Sequence, residues 1–233
     1  MAGFDAGVFS AWVGQQTNGI DLGDVRRDRR VVRLFKSLAT RVQRGTVSSM
    51  FRTVAESKAV YRLLDNQEVT FDAVLEPHRA QTRAAEQSVA ELLLIEDTTS
   101  LDYTSHEAAT GLGFIGNGAQ RGCFLHTTLA VEVDGYDGDG PLRAIPVGIH
   151  ASQIWVRDYE PGKTTRKSKS ARQSEPRESE RWARGLTDGE PSPSGARRTY
   201  FADRESDCYE VFGRCRDSGL DFIVRVAQAR ALE

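Results

Sequence analysis

The sequence has little of what marks membrane, secreted and zinc-binding proteins. No apolar run approaches the roughly 18 residues that a membrane helix needs, and the N-terminus lacks the basic start of a signal peptide. The three cysteines are odd in number and show no CxxC spacing, and only four histidines accompany them. Disulfide frameworks and structural zinc sites need more regular patterns. These shortages exclude a membrane partner and predict a protein of the reducing cytoplasm.

The composition is that of a globular protein. Of 233 residues, 39% are hydrophobic and 27% are charged, which argues against both a disordered chain and a membrane protein. A chain of this length can bury a core without disulfides. It accommodates either one large domain or a small domain joined to a medium one.

The basic residues are unusual in type and in position. Arginine accounts for 26 of the 31, and its planar guanidinium suits phosphate groups and base edges better than lysine does. Residues 24–62 hold eleven basic and three acidic side chains, a net charge of +8 in a chain whose total is −2. Coding bias alone can enrich arginine, but it does not explain this segregation of charge, which indicates a polyanionic partner such as DNA.

The first 90 residues have helical periodicity. Residues 24–44 place apolar side chains on one arc of a helix and a ridge of arginines on another, with Asp24 as the cap. A second helix is predicted over residues 54–64, and a third from Thr70 towards Ser88. These helices predict a small bundle over residues 1–88 whose arginine ridge can lie along a DNA backbone. An ordinary solvated helix face would show the same pattern.

From residue 90 the periodicity changes from helix to strand. The apolar run at 91–96 predicts a strand that is buried on both faces. Further strands are predicted at 124–133, 144–156, 199–202 and 222–226, and short helices at 178–186 and from about Cys208. Residues 157–198 are polar and predict an exposed insertion. The order of these elements predicts an α/β fold whose mixed sheet has an antiparallel start, over residues 89–233.

Two aspartates stand where strands are predicted to end. Asp97 follows the run at 91–96, and Asp203 follows residues 199–202. Carboxylates at the ends of adjacent strands can converge on a divalent cation, and hard oxygen ligands favour Mg²⁺ or Mn²⁺. Such cations serve phosphoryl transfer because they activate the attacking oxygen and stabilise the leaving one. The alternative is that Asp97 caps a turn and Asp203 caps a helix.

Other motifs predict no further chemistry. Residues 111–116 (GLGFIG) match the GxGxxG dinucleotide pattern, but a strand and not a helix is predicted after them, so no nucleotide cofactor is expected. His126 lies within a predicted strand, and we expect it to be a hydrogen-bonded core residue. No serine has the GxSxG context of an esterase.

Several short motifs, taken in their order and spacing, resemble the cut-and-paste DDE transposases of the insertion-sequence-four family, in its Tn-five-like branch. Residues 22–27 (LGDVRR) with Arg30, and residues 59–62 (AVYR), resemble that family's transposon-end-binding domain. Residues 95–101 (IEDTTSL) resemble the strand with the first catalytic aspartate, and residues 203–207 (DRESD) resemble the second-aspartate motif. Further similar segments are Arg121-Gly122 with His126, Glu178-Ser179 with Trp182, and residues 222–225 (FIVR).

The resemblance implies a function for each part of the chain. Residues 89–233 would form an RNase H-like catalytic core in which Asp97 and Asp203 are catalytic and bind Mg²⁺ or Mn²⁺. Residues 1–88 would bind double-stranded DNA at the inverted-repeat ends of a transposon, through Arg26, Arg27, Arg30, Arg33, Tyr61 and Arg62. The resemblance also implies DNA recombination in a bacterial cytoplasm, in association with the nucleoid. A second copy of the transposase is a further candidate partner.

One part of the family pattern is missing. The third catalytic acid of the family is a glutamate in a Tyr, Arg, Glu, Lys motif, and none of the acids after Asp207 lies in such a motif. We therefore expect the sequence to be truncated before the third acid. Two hypotheses remain open. One is a DDE transposase that cleaves and joins DNA strands, and the other is a DNA-binding module without catalysis that acts as a competitor, a regulator or a relic.

Overall fold

The computed structural model of the protein describes residues 6–40, 50–51, 53–116, 119–134, 142–157, 180–186 and 196–227. Over these ranges it shows six α-helices and one mixed six-stranded sheet, so the predicted α/β class is confirmed. The chain divides into two compact units, unit 1 up to Gln81 and unit 2 from Thr82. No helix in the described ranges is long and apolar enough to cross a membrane. The assignment of DNA binding to residues 1–88 and of catalysis to residues 89–233 stays a prediction.

Unit 1 is built from helices. These are α1 (Ala6–Gln16), α2 (Val25–Thr40), α3 (Val54–Leu64) and α4 (Phe71–Glu86), whose last residues belong to unit 2. The predicted helices at 54–64 and after Thr70 agree closely with α3 and α4. The predicted helix at 24–44 agrees with α2 as far as Thr40, and residues 41–44 lie outside the described ranges.

Side-chain caps explain where these helices begin. Asp24 Oδ1 accepts the backbone N–H groups of Arg26 at 2.7 Å and Arg27 at 3.2 Å, ahead of α2. Thr53 and Glu56 form a reciprocal capping box at the start of α3. The Thr70 hydroxyl accepts the N–H of the third residue of α4 at 3.1 Å. Each cap satisfies backbone donors that have no partner inside the helix.

The core of unit 1 forms on the apolar side of α2. Leu22, Val31 and Leu63 are buried together, and Phe35 and Val74 pack against them. Burying this side of α2 leaves the opposite side of the helix in solvent, where Arg26, Arg30 and Arg33 of the predicted ridge lie.

Unit 2 contains the sheet. Its strands are β1 (Glu91–Asp102), β2 (Gly113–Phe114), β3 (Arg121–Asp134), β4 (Arg143–Trp155), β5 (Arg197–Ala202) and β6 (Asp221–Val224). The order β2–β3–β1–β5–β6, with β4 also on β3, combines antiparallel pairing of β1, β3 and β4 with parallel pairing of β5 and β6. The predicted antiparallel start is therefore confirmed. The RNase H-like assignment stays a prediction.

Two details of β1 differ from the sequence-based expectation. The strand continues to Asp102 because β3 pairs with it over its whole length, so Asp97 lies inside β1 and not after its end. Burial also alternates along it: Leu92, Leu94 and Glu96 are buried, whereas the opposite face is only half-covered up to Ile95. The predicted burial on both faces is therefore wrong, since helices cover one face of the strand.

Helices α5 (Glu180–Gly185) and α6 (Tyr209–Asp217) pack on the buried face of the sheet. Their buried side chains, among them Trp182 and Val211, join Leu94 and Tyr200 in the core. A single 3₁₀ turn (Arg204–Ser206) links β5 to α6. Of the predicted insertion at 157–198, residues 158–179 and 187–195 lie outside the described ranges, as do residues 135–141 between β3 and β4.

Candidate functional site

The residues predicted to bind DNA lie on α2 and α3 of unit 1. We call them the arginine surface: Arg26, Arg27, Arg30, Arg33, Tyr61 and Arg62. All are exposed except Arg27, which is half-buried. Tyr61, 48% exposed, adds an aromatic ring near the end of α3. Arginine and tyrosine side chains of this kind suit a nucleic-acid surface, because they combine charge with hydrogen-bonding and stacking capacity.

Two of these arginines already have protein partners. Arg27 Nη1 donates to Asn66 Oδ1 at 3.2 Å, and Arg33 forms an ion pair with Glu56. The first contact ties α2 to the segment after α3 and the second joins α2 to α3, so together they fix the two parts of the arginine surface relative to each other. In the described part of the chain, no hydrogen bond or ion pair engages the guanidinium groups of Arg30 and Arg62. These two are therefore available to an anionic ligand.

Asp24 places a negative charge at the N-terminus of α2. The N–H groups of Arg26 and Arg27 that it accepts lower the pKa of its carboxyl group. The carboxylate therefore stays charged at neutral pH, where it caps the positive end of the helix dipole. Its role in the structure is that of a cap and not of a ligand for DNA.

Asp97 and Asp203 come together through the parallel pairing of β1 and β5. The last pair in this ladder is Glu96 opposite Ala202, so Asp97 is the next residue of β1 and Asp203 is the first residue after β5. Adjacent strands lie about 4.8 Å apart, so the backbones at the two aspartates lie next to each other at the carboxyl end of β5. Both residues are exposed. The structure therefore brings the two predicted site residues to one place, although 105 residues separate them in the chain.

The carboxylates differ in how much of their bonding capacity is used. Asp203 Oδ1 accepts the N–H of Glu205 at 2.8 Å and caps the 3₁₀ turn, as the alternative interpretation predicted. Within the described ranges no hydrogen bond or ion pair engages the Asp97 carboxylate. No group of three His, Cys, Asp or Glu residues that could hold a metal ion occurs in those ranges either.

The two carboxylates fit one Mg²⁺ or Mn²⁺ ion. Mg²⁺ takes oxygen ligands, usually keeps several waters and needs only one or two protein carboxylates. The exposure of both aspartates leaves room for those waters.

A buried carboxylate lies directly before Asp97, and sequence reasoning did not identify it. Glu96 is 2% exposed and accepts hydrogen bonds from Thr128 Oγ1 at 2.9 Å and from the Tyr200 hydroxyl at 2.5 Å. Its position in β1 could have indicated its burial, because side chains two residues apart lie on the same face of a strand and Glu96 follows Leu92 and Leu94 at that spacing. A glutamate at such a position must be buried with polar partners.

His126 is a buried, hydrogen-bonded core residue, as predicted. It is 1% exposed, and its Nδ1 is hydrogen-bonded to Thr98 Oγ1 at 2.8 Å. Its Nε2 lies 3.0 Å from Glu96 Oε1 but outside hydrogen-bonding geometry. The edge of the Trp182 ring system packs on the imidazole at a centroid distance of 4.6 Å. His126 therefore contacts both residues that flank Asp97 in β1.

The buried charge at Glu96 affects other groups in the core. Burial is the main cause that raises the pKa of the Tyr200 phenol well above its usual value, and the nearby Glu96 carboxylate is the second cause. The same two causes raise the pKa of the Cys215 thiol to about 12. Both groups are therefore neutral in the folded protein at physiological pH, and Tyr200 keeps the proton that it donates to Glu96.

Comparison with known protein families addresses unit 1. Residues 9–69 match the family model described as transposase DNA-binding. This part of the chain is similar to transposase DNA-binding domains. The match includes α2, α3 and all six residues of the arginine surface, and it supports a DNA-binding transposition protein. It ends before β1, so the DDE type, the insertion-sequence-four family and the role of the two aspartates stay predictions.

Proposed function

We propose that this protein is a DDE-type DNA transposition protein of the insertion-sequence-four family. Its arginine surface binds the inverted-repeat end of a transposon, and Asp97 and Asp203 bind a divalent cation used in DNA strand cleavage and transfer. The observation that carries the proposal is the combination, in one chain, of a match to a transposase DNA-binding family model with two exposed aspartates beside the end of the parallel β1–β5 ladder.

Charge supports the binding half of the proposal. The segment 24–62 has a net charge of +8, and the remaining 20 basic and 30 acidic residues give −10. Duplex DNA is therefore attracted to the arginine surface and repelled by the average charge of the rest of the chain. Arg30 and Arg62 supply contacts to phosphate or base edges, while Arg27 and Arg33 hold α2 and α3 together.

The binding half is tested by replacing Arg26, Arg30 and Arg62 with alanine in the full chain. The wild-type protein first selects duplexes from a randomised pool, and affinity for a selected duplex is then measured at several salt concentrations. Each lost phosphate contact should reduce the salt slope by about one unit, and each lost base contact should cost about 1–3 kcal/mol. The control is a triple variant at exposed arginines of unit 2: Arg143→Ala, Arg214→Ala and Arg216→Ala. Equal affinity and salt slope in wild type and the first variant would refute the assignment.

The catalytic half assigns simple tasks to the residues of this chain. Asp97 and Asp203 hold the cation at the carboxyl end of β5, and the pairing of β1 with β5 fixes the separation of the two aspartate backbones. When bound, the cation supplies a Lewis acid that polarises the phosphodiester and lowers the pKa of a bound water or hydroxyl. The arginine surface holds the DNA. The rest of the chain has a net negative charge that repels a phosphate group, so a bound cation is needed for the phosphate to approach the two carboxylates.

The cation site is tested with Mn²⁺, whose free ion is measured by electron paramagnetic resonance. Wild-type protein should bind Mn²⁺, and the Asp97→Asn, Asp203→Asn double variant should not. The matched control replaces two exposed aspartates of unit 2 elsewhere, Asp217→Asn and Asp221→Asn, and should bind as wild type does. Binding that persists in the first double variant would show that the ion is held somewhere else.

A second candidate function is DNA binding without cleavage. It is favoured by the lack of a third acidic or histidine ligand beside the aspartates within the described ranges. A labelled duplex selected by the protein separates the two candidates. Mn²⁺-dependent nicking that disappears in the Asp97→Asn, Asp203→Asn variant supports the transposase, whereas tight binding with no nicking supports the binding module.

A further inference from the structure

The polar groups around Glu96 form a connected cluster inside unit 2. We call it the Glu96 network and define it by the residues Glu96, Thr98, His126, Thr128, Tyr200 and Ser206. Glu96 accepts from Thr128 and Tyr200, and His126 contacts Glu96 and Thr98. Burial is nearly complete at its centre, because Glu96, His126, Thr128, Tyr200 and Ser206 are each at most 2% exposed.

The network reaches both aspartates through their immediate neighbours. On β1 it holds Glu96 and Thr98, the residues on either side of Asp97. On the other side, the Ser206 side chain lies against the Tyr200 hydroxyl, and its own hydroxyl donates to the backbone carbonyl of Asp203 at 2.9 Å. A continuous chain of polar contacts therefore joins the backbone at Asp97 to the backbone at Asp203.

Stability of the fold alone is a poor explanation for this arrangement. A buried carboxylate is costly to desolvate, and well-packed apolar residues are often as stable as a buried charge with its partners. The covered face of β1 holds leucine at the two preceding buried positions, Leu92 and Leu94. The change from leucine to glutamate occurs next to the proposed cation site, where fixed geometry matters most. Groups that orient metal ligands in other proteins have this relation to the ligands.

We propose that the Glu96 network positions the Asp97 and Asp203 carboxylates for the divalent cation. This inference rests on the proposed function, because it assumes that these carboxylates bind the ion. The network residues are positioning residues: they are buried, and they act through the backbone that carries the two aspartates.

The test uses hydroxyl deletions that keep the shape of the core. Tyr200→Phe removes the donor to Glu96 and the hydroxyl that contacts Ser206. Thr128→Val removes only the second donor, and Thr128→Ser keeps the hydroxyl but loses the methyl group. Leu220→Ala is the control, because it removes buried apolar atoms of the same unit at the start of β6, at the opposite end of the strands.

Two measurements are made on the full chain of each variant. Mn²⁺ affinity should fall about tenfold or more in Tyr200→Phe and Thr128→Val, the size of effect typical for groups that orient metal ligands. It should be retained in Thr128→Ser and Leu220→Ala. Amide hydrogen exchange without metal should become faster in the segments 97–98 and 203–206 of the first two variants, and in neither segment of the control.

The exchange measurement separates failure of this inference from failure of the proposed function. If wild-type protein binds no Mn²⁺, the cation site is refuted. Amide hydrogen exchange at 97–98 and 203–206 in Tyr200→Phe and Thr128→Val then decides by itself whether the network fixes these segments. The inference is overturned if Tyr200→Phe and Thr128→Val exchange like wild type in both segments. It is also overturned if Thr128→Ser loses as much Mn²⁺ affinity as Thr128→Val, because packing and not the hydroxyl would then be responsible.

Discussion

At the scale of single residues, Gly185 shows how closely α5 approaches β1. A Cβ atom at this position would lie 2.3 Å from Glu96 Oε1 and 2.9 Å from Thr128 Oγ1. Neither atom can move away easily, because both side chains are buried and bonded to each other. Only glycine therefore allows the end of α5 to pack over the buried carboxylate.

Gly185→Ala is accordingly expected to destabilise the protein by about 1–3 kcal/mol, the usual cost of forcing an extra group into a packed core. Gly213→Ala is the matched control, since Gly213 lies inside α6 with no atom within 4 Å of an added Cβ. There alanine should stabilise by about 0.5–1 kcal/mol through its better helix propensity. Urea unfolding followed by circular dichroism measures both. A Gly185→Ala variant as stable as wild type would show that the contact can relax.

At the scale of elements, local signals and long-range pairing differ in how well the sequence predicts them. The bounds of α3 and α4 were predictable because Thr53, Asp65 and Thr70 begin or end the helices through contacts with residues at most four positions away. The limits of β1 were not, since its extension to Asp102 depends on pairing with β3.

The candidate site was predictable in part. Asp97 and Asp203 could be selected from the sequence by their position after apolar runs, but only the parallel register of β1 and β5 makes them neighbours. Glu96 was missed because a glutamate next to an exposed aspartate is ordinarily expected in solvent. The alternation along β1 indicates its face, but the packing of helix α5 over that face and the hydrogen bond from Thr128 are long-range contacts that no local pattern encodes.

At the scale of the whole molecule, the buried thiol and phenol groups link stability to pH. Burial and the Glu96 charge raise the pKa of Cys215 from 9.0 to about 12, and they raise the pKa of Tyr200 above its ordinary value of 10.0. In the unfolded chain both groups lose their protons at their ordinary values. Between pH 9 and 12 the unfolded state therefore binds fewer protons than the folded state, and folding becomes less favourable as the pH rises.

The free energy of unfolding should consequently be independent of these groups below about pH 8 and should decline above about pH 9. Each group contributes a slope of up to about 1.4 kcal/mol per pH unit. Cys215→Ala removes one of them, so its decline between pH 9 and 10.5 should be shallower than that of wild type, whatever its stability at neutral pH. Leu220→Ala deletes no titratable group and should lower stability by the same amount at every pH. Urea unfolding across this range, followed by tryptophan fluorescence, measures the slopes. Parallel curves for Cys215→Ala and wild type would mean that the Cys215 thiol ionises in the folded protein as readily as in the unfolded chain.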